Sequence, residues 1–281
     1  MTPISQPEML KHIDEVELTI FDTETTGLNP ASGDRIVELA GLRVKGRERI
    51  ARFDMLVNPA REISAEAFLV NKITPEMLKD APGIDVVMPK FLDFIQGSYL
   101  CSYNVEFDLG FLNNELKIIG LPALTGSTSF DILTMAKRLM PNQQRYALWF
   151  IADKLGIKTQ QQHRAFSDVE MSWDVFNKLK EICQEKKVTD FVSFSNLFAF
   201  NPDSLVSDLS SKISQIEKAI NLKARLKIKY LSTKDAGISL REVIPKEVRQ
   251  DLKNKYLIGF CCLKKDERVF KISNILELEI I

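Results

Sequence analysis

Two acidic residues directly follow a strand pattern near the start of the chain. Residues Val16 to Phe21 alternate apolar and polar side chains and include β-branched residues, which is typical of a β-strand. Side chains two positions apart on a strand point to the same face, so we expect Asp22 and Glu24 to lie side by side. Gly27 then permits a turn and a close approach of the backbone to a ligand.

This pair of carboxylates has two interpretations. Adjacent negative charges repel each other, and a hard divalent cation such as Mg²⁺ or Mn²⁺, which prefers oxygen ligands, relieves that repulsion. Alternatively, both acids lie on a surface strand and face water, as most charged side chains do. The stretch alone leaves both interpretations open.

Composition restricts the class of protein. The chain has 281 residues, which suits one larger and one smaller globular domain. It has no 18-residue apolar run and no basic-then-apolar leader, so we expect neither a membrane span nor a signal peptide, and no membrane partner. Its four cysteines lack metal-ligand spacing, which favours reduced thiols in a cytoplasmic protein.

Charge is distributed unevenly along the chain. Residues 1–185 carry 20 Lys and Arg against 26 Asp and Glu, whereas residues 186–281 carry 18 against 12. An acidic front half and a basic back half indicate two modules, the second facing an anionic partner. A chance excess of surface lysines explains the imbalance equally well.

The elements between the first acids and the middle of the chain follow from periodicity and from turn residues. The patterns predict strands over 36–40, 51–57 and 99–103, helices over 84–95, 130–140 and 146–155, and a helix start at Thr74-Pro75. Four cations alternate around the first hairpin, which favours a solvated face: Arg43, Lys45, Arg47 and Arg49.

Two further acids and a histidine lie at the ends of predicted elements. Asp108 falls in the first turn of a helix, where the helix dipole favours an acid. Ser167 and Glu170 have the spacing of a capping box, which places Asp168 at the first position of another helix. His163 lies on the loop before that helix. Each has a structural explanation, but the set of four acids and one histidine is harder to dismiss.

The ordered set of motifs resembles the DEDDh 3′–5′ exonucleases, especially proofreading epsilon-type subunits. The first motif is Phe21 to Leu28, the second is Asn104 to Asp108 with Phe111-Leu112, and the third is His163 with Asp168. Weaker similarities at Val57-Asn58-Pro59, Ile73 to Met77 and Tyr146 to Ile157 connect them, so the resemblance covers roughly residues 16–183.

The resemblance implies an α/β, ribonuclease H-like fold: a mixed sheet flanked by helices, with the acids at one end. It implies two Mg²⁺ or Mn²⁺ ions bound by Asp22, Glu24, Asp108 and Asp168, which act in one in-line displacement. It also makes His163 the general base, and the product a nucleoside 5′-monophosphate.

The same resemblance implies the substrate contacts. Backbone near Thr25 meets the terminal 3′-hydroxyl, Leu28 and Phe107 pack on the last bases, and Asn104 of the second motif is a further substrate-binding candidate. One departure from the family lies before the Ile-Thr-Pro motif: many relatives carry histidine there, and this chain has Val70-Asn71-Lys72-Ile73.

The basic back half begins with a connector. Residues 186–204 contain a short aromatic helix and a break at Asn201-Pro202, and an amphipathic helix follows from Leu205. Strict alternation over 222–230 predicts a half-buried strand with a wholly cationic outer face formed by Lys223, Arg225, Lys227 and Lys229.

Residues 205–281 resemble the WYL domain, a small Sm-like barrel. The matching residues are Ala219-Ile220, Ser239, Arg241, Pro245, Tyr256-Leu257, Gly259, Arg268 and Phe270-Lys271, with Lys255 at the position of the name-giving tryptophan. The resemblance implies that Arg241, Arg268, Tyr230 and Tyr256 bind nucleic acid or a regulatory nucleotide-like ligand. Arginines that only brace neighbouring strands are the alternative.

These patterns together predict an exonuclease domain over 1–185, a connector over 186–204 and a WYL-like domain over 205–281. The predicted substrate is single-stranded DNA or a DNA 3′ end. A ribonuclease that trims RNA 3′ ends is the alternative enzyme, since neither the metals nor His163 read the sugar. A ligand-gated nucleic-acid-binding regulator with an inactive nuclease scaffold is the alternative from another class.

Overall fold

The structure, a computed structural model, describes residues 11–124, 128–158, 163–200, 204–232, 234–251 and 254–281. The chain divides into two compact units. The first contains Met1–Ala136 and Gln144–Phe200, and the second contains Lys137–Gln143 and Asn201–Ile281. No helix in the described part of the chain combines the length and the apolar character needed to cross a bilayer.

The first unit is built on a six-stranded mixed sheet. Its strands are β1 (Glu17–Thr25), β2 (Ile36–Lys45), β3 (Glu48–Leu56), β4 (Tyr99–Ser102), β5 (Ser129–Asp131) and β6 (Ala199–Phe200), in the order β3-β2-β1-β4-β5-β6. Strands β1, β4 and β5 run parallel to one another, and the other pairs are antiparallel. This arrangement confirms the predicted mixed α/β sheet.

Helices cover both faces of this sheet. They are α1 (Ala65–Asn71), α2 (Pro75–Leu78), α3 (Ile84–Phe94), α4 (Val105–Ile118), α5 (Ile132–Leu139), α6 (Leu148–Lys154), α7 (Ala165–Glu185) and α8 (Phe191–Phe198). Phe21 of β1 joins Phe91 of α3 and Phe111 of α4 in one core, whereas α7 packs against β1 and β2. Successive strand residues alternate in direction, so Asp22 and Glu24 point away from the Phe21 core.

Some predicted element boundaries agree with the structure and others do not. Thr74 caps α2 and Pro75 begins it, and Gly156 ends α6 with a φ of 73°. The predicted helix over 130–140 is wrong at its start, because residues 129–131 form β5 and the Asp131 carboxylate accepts the backbone N–H of Thr134. A three-residue strand is too short to leave a periodic signal.

The start of α7 also differs from the prediction. The capping box of Ser167 and Glu170 is wrong: the helix begins at Ala165, its N-cap is Arg164, and Asp168 is its fourth residue. The carboxylate of Glu38, on β2, accepts the backbone N–H of Ala165 at 2.9 Å. An acceptor from a distant strand therefore replaces the local cap, and local spacing could not reveal it.

The hairpin cations have specific partners as well as solvent. Arg43 pairs with Glu17 at 2.6 Å, Arg47 with Glu181 at 2.5 Å and Arg49 with Glu170 at 2.8 Å. The predicted solvated face therefore includes ion pairs, two of which reach α7.

Residues 191–200, placed by sequence in the connector, form α8 and β6 of the first unit. Phe191 and Phe194 are fully buried and lie 5.8 and 5.2 Å from the ring of Phe130, measured between centroids. Strand β6 pairs with β5. The predicted break at Asn201-Pro202 lies outside the described residues.

The second unit is an antiparallel sheet with one long helix. It contains α9 (Ser204–Asn221), β7 (Leu226–Leu231), β8 (Ile238–Gln250), β9 (Lys255–Cys261), β10 (Asp266–Lys271) and β11 (Ile275–Ile280), in the order β10-β9-β8-β7-β11. No ladder joins β10 to β11 among the residues described, so strand pairing does not close this sheet into a continuous barrel there.

The strand predicted over 222–230 begins four residues later. Lys223 has a φ of 52° just after α9, and Leu222 is 62% exposed. The outer face is not wholly cationic either, because neighbouring strands supply acids: Lys229 pairs with Glu277 at 2.8 Å, and Glu242 lies opposite Lys227. The first four residues of the predicted strand are therefore a turn and a loop that follow α9.

We expect Phe194→Ala to destabilise the first unit by about 3–5 kcal/mol, because truncating a buried phenylalanine leaves a cavity. Phe68→Ala is the matched control, since that ring is 40% exposed on α1 and should change stability by less than about 1 kcal/mol. Chemical denaturation followed by tryptophan fluorescence measures both. Equal effects would contradict the assignment of residues 191–200 to the first unit.

Candidate active site

Three carboxylates meet at the end of β1. Asp22 and Glu24 lie on one face of that strand, and Asp168 lies in the first turn of α7, which packs against it. One oxygen from each carboxylate lies within 4.8 Å of the other two. The predicted convergence of these three side chains is therefore present.

Asp108 approaches from the opposite face of β1. The side chain of Thr23, between Asp22 and Glu24, points to that face and donates to Asp108 Oδ1 at 2.7 Å, and the backbone N–H of Thr23 donates to the same oxygen at 3.0 Å. Ser102 donates to Asp108 Oδ2 at 2.5 Å. Asp108 is therefore adjacent to the cluster, but hydrogen bonds within the protein hold both of its oxygens.

Burial and mutual repulsion shift the protonation of these acids. Burial raises the pKa of Asp22 well above its ordinary value, and the charges of Asp108, Glu24 and Asp168 raise it further. Burial, together with the charge of Asp168, raises the pKa of Glu24 to about 8, although Arg164 opposes the shift. Burial raises the pKa of Asp108 to about 7 against the hydrogen bonds from Ser102 and Thr23.

The donor set of this cluster fits a hard divalent cation. Close carboxylate oxygens are the ligands that Mg²⁺ and Mn²⁺ prefer, and burial together with mutual repulsion raises the pKa of Asp22 and Glu24, which a cation would relieve. Asp22, Glu24 and Asp168 can hold such an ion. The acidic cluster therefore agrees with the expected use of divalent metal by this class of enzyme.

A cavity of about 700 Å³ adjoins the three acids. His163 lines it from the loop before α7, and its φ of 48° turns the chain sharply at that position. Leu28, which is 84% exposed, and Phe107 also line it. The predicted proton acceptor, the two side chains predicted to pack on nucleobases and the three acids of the cluster thus line one cavity.

The other two predicted substrate residues have different positions. Thr25 lines the cavity; its hydroxyl donates to the carbonyl of Gly27 at 2.6 Å, and its own carbonyl accepts from Asn71 at 3.3 Å. Asn104 is not among the residues that line the cavity. It precedes α4 with a φ of 74°, and its backbone N–H donates to Asp131. The roles predicted for Thr25, Leu28, Phe107 and Asn104 stay predictions.

The sequence patterns gave no role to two residues near the cluster, Glu38 and Asn71. Glu38 is 1% exposed, lies opposite Glu24 in the β1–β2 register and binds Arg164. A charged residue in the otherwise apolar run Ile36 to Ala40 was the available signal, because buried acids need a partner. Asn71 was noted as a departure from the family, and the structure buries it and uses its amide to join α1 to Thr25.

The residues predicted for a C-terminal ligand do not share one cavity, although Tyr230 and Tyr256 both adjoin Lys271. Arg241 donates to Ser239 Oγ at 2.9 Å and lines a cavity of about 290 Å³ with Lys227. Arg268 lies 3.6 Å from Asp266. The Tyr230 hydroxyl accepts the backbone N–H of Lys271 at 3.3 Å, and burial raises the pKa of Tyr230. Tyr256 lies opposite Arg249 and Lys271 in the ladders, away from the Arg241 cavity.

The fold and the acidic cluster define an α/β nuclease-type domain joined to a β-rich unit. Residues 19–176 match the Exonuclease family, and residues 211–280 match the WYL domain. The first match spans more than half of the chain, so the chain belongs to the exonuclease family. The predictions of an exonuclease and of a WYL domain are confirmed.

Relatives and solved structures agree with this membership. DNA polymerase III PolC-type of Bacillus cereus is 36% identical over 184 residues, which cover 66% of this chain and 13% of that protein. The Clostridium perfringens protein of the same description is 27% identical over 250 residues, or 88% of this chain and 17% of that protein. The chain therefore spans less than a fifth of the length of these relatives.

Two solved structures show the same ribonuclease H-like fold. The full-length 3′-exonuclease is 17% identical, with a TM-score of 0.54, and the match covers 61% of this chain and 83% of that one. The nuclease domain of 3′hExo, a DEDDh family member bound to rAMP, is 18% identical, with a TM-score of 0.52. That match covers 59% of this chain and 92% of the other.

We expect the metal-free protein to lose stability as the pH rises from about 5 to 8. The pKa of Glu24 is about 8 in the folded chain against an ordinary value of 4.5, so the folded state binds more protons in this range and deprotonation disfavours it. Thermal unfolding in EDTA measures the slope, and Mn²⁺ should stabilise most at the high-pH end. Glu24→Gln should make the slope shallower; an unchanged slope would contradict this assignment.

Proposed function

We propose that the chain is a divalent-metal-dependent 3′–5′ exonuclease that hydrolyses phosphodiester bonds at DNA 3′ ends and releases nucleoside 5′-monophosphates. The observation that carries the proposal is the meeting of Asp22, Glu24 and Asp168 beside a cavity that His163 also lines. DNA is the proposed substrate because the relatives from Bacillus cereus and Clostridium perfringens are described as DNA polymerases.

Asp22, Glu24, Asp108 and Asp168 would hold two Mg²⁺ or Mn²⁺ ions in this proposal. When bound, such ions lower the pKa of a water molecule and stabilise the charge that develops on the leaving 3′-oxygen. Thr23 donates twice to Oδ1 of Asp108 and Ser102 donates once to Oδ2, so Oδ2 keeps one lone pair with which it would bind an ion.

His163 would accept the proton of the attacking water. An imidazole can exchange a proton near neutral pH, and a loop position allows its ring to reorient when substrate enters the cavity. Leu28 and Phe107 would pack on the last bases without reading their sequence, and the backbone at Thr25 would meet the terminal 3′-hydroxyl. Asn104 would contribute from the start of α4.

We expect Asp22→Asn to abolish the release of mononucleotides from 5′-labelled single-stranded DNA, because it removes a metal ligand. We expect His163→Ala to lower kcat by about 10²–10⁴-fold, the usual contribution of a general base, while Mn²⁺ affinity measured by calorimetry stays unchanged. Asp34→Asn is a control, since that carboxylate lines the same cavity but bonds to Thr26 and Asn29.

Parental cleavage by folded Asp22→Asn would refute the proposed function. Loss of Mn²⁺ affinity in His163→Ala would make that residue a ligand rather than a base. The same digest should compare single-stranded DNA, duplex DNA and RNA with Mg²⁺, Mn²⁺ or EDTA. Faster digestion of RNA than of either DNA would replace the proposed substrate with RNA 3′ ends.

We further propose that the WYL domain is a regulatory module that binds nucleic acid or a nucleotide-like ligand through Arg241, Arg268, Tyr230 and Tyr256. Arg241 is the best supported of these, because it lines a cavity together with Lys227. Tyr230 has its hydroxyl bonded to backbone, so it would contribute its ring rather than a new hydrogen bond.

A strongly curved, Sm-like barrel shape is proposed for the five-stranded sheet. Tyr230 of β7 lies 5.1 Å from Phe270 of β10, measured between ring centroids, although two strands separate β7 from β10 in the sheet order. Contact between such strands supports curling of the sheet around its core.

The domain limits and the compartment are also proposals. From the predicted limits of 1–185, 186–204 and 205–281, we propose an exonuclease domain that also takes in residues 191–200 of the connector, followed by a WYL domain over 205–281. A cytoplasmic location is supported by four free cysteines, of which Cys101, Cys183 and Cys261 are buried and Cys262 is half-buried.

We expect Arg241→Ala to weaken binding of single-stranded DNA with kcat unchanged. The slope of log Kd against log salt concentration should fall by about 1, which is the contribution of one phosphate contact. Lys246→Ala is the matched control, because it removes the same charge from the same strand at a residue that pairs with Glu267. Fluorescence anisotropy at several salt concentrations measures the slope. Identical slopes for both variants would contradict nucleic-acid binding at the Arg241 cavity.

A further inference from the structure

Glu38 is a buried acid in the middle of β2. It is 1% exposed, and its neighbours Ile36, Val37, Leu39 and Ala40 are all fully buried. Both oxygens are used: Nε of Arg164 donates to Oε1 and Oε2 at 3.1 Å each, and Nη2 donates to Oε1 at 2.5 Å. Removing an ion from water is costly without such partners, so a carboxylate here requires a cation with the fork geometry of arginine.

This ion pair joins the two halves of the acidic cluster. Glu38 lies directly opposite Glu24 in the β1–β2 register. Arg164 follows His163 in the chain, and its carbonyl accepts the backbone N–H of Asp168 at 3.1 Å. The ion pair therefore attaches the segment that carries His163 and Asp168 to β2. This is the strand next to β1, which carries Asp22 and Glu24.

The start of α7 depends on the same carboxylate. The side chain of Arg164, the N-cap, makes no capping hydrogen bond, and Glu38 Oε2 accepts the N–H of Ala165 at 2.9 Å instead. A helix begins with four backbone donors that lack intrahelical acceptors, and a negative charge there is favoured by the helix dipole. Because His163 has a φ of 48°, the chain turns sharply just before this fixed point.

The pair also balances charge beside the cluster. The charge of Glu38 raises the pKa of Asp22 and Glu24, and the charge of Arg164 lowers the pKa of Glu24. Loss of the arginine alone would leave one more uncompensated carboxylate next to three others. Geometry and charge thus both connect this pair to the site, although neither residue lines the cavity.

We propose that Glu38 and Arg164 are positioning residues, which act as one clamp that sets Asp168 and His163 against Asp22 and Glu24. The clamp rests on the proposed exonuclease function, because its purpose is to hold the ligands and the base at working distance. Groups that orient metal ligands commonly change metal affinity or activity by about 10–100-fold when they are removed.

A second buried ion pair, between Glu115 of α4 and Arg35, offers a matched control. Glu115 is fully buried, accepts Nε and Nη2 of Arg35 at 2.8–3.0 Å, and accepts the backbone N–H of Ile36 at 3.0 Å. It therefore makes the same kind of bonds to the same strand as the clamp, and it does not line the cavity.

The test compares Glu38→Gln, Arg164→Lys and Glu115→Gln in the full chain, at a temperature where circular dichroism shows all three folded. Glu38→Gln should weaken Mn²⁺ binding by calorimetry at least about tenfold and lower kcat on single-stranded DNA by a similar factor, with KM changed less than about twofold. Arg164→Lys keeps the charge but loses the fork, so it should be impaired too.

Glu115→Gln should lower the unfolding midpoint while leaving Mn²⁺ affinity and kcat near parental values. Parental Mn²⁺ affinity in folded Glu38→Gln, or equal losses in Glu115→Gln, would overturn the clamp. Full activity of Arg164→Lys would show that the positive charge is sufficient, and it would overturn the claim that the forked geometry of the guanidinium is needed. If the parental chain releases no nucleotides, the proposed function fails, but the Mn²⁺ titrations still decide whether the clamp orders the carboxylates.

Discussion

Carboxylates at the end of β1 repel one another, and the neighbouring hydrogen bonds and ion pairs of the first unit offset part of that repulsion. Asp108 is tolerated because Thr23 and Ser102 donate three hydrogen bonds to it, and Glu38 is tolerated because Arg164 neutralises it. Within the described part of the chain, no comparable set of donors reaches Asp22 or Glu24, and burial together with the neighbouring carboxylates raises their pKa values. Folding therefore concentrates negative potential at one point, which is how a protein prepares a site for a small, highly charged cation.

Local patterns were sufficient for the parts of the site that lie within one element. Alternation placed Asp22 and Glu24 on one face of β1, helical spacing placed Asp108 in the first turn of α4, and the Thr74-Pro75 pair marked the start of α2. Each depends on residues fewer than five positions apart. That is the range over which backbone geometry alone decides which side chains are neighbours.

The errors occurred where a partner distant in sequence decides the outcome. The helix that carries Asp168 begins at Ala165 because Glu38, more than a hundred positions earlier, accepts its first N–H. Residues 191–200 join the first unit because Phe191 and Phe194 pack on the ring of Phe130, and Lys227 faces glutamates of β8 and β11 rather than solvent alone. Tertiary contacts override local preference at such places, and a single sequence does not display them.

Helix α1 forms one wall of the cavity, yet only Asn71 among its residues is buried. Its ends are secured by the cap at Ser64 and by the amide of Asn71, and neither bond depends on the outward side chains between them. Exchanges at Glu66, Ala67 or Val70 therefore cost little folding energy. Evolution or an engineer can retune what this wall accepts, position by position, while the chemistry beside it stays untouched.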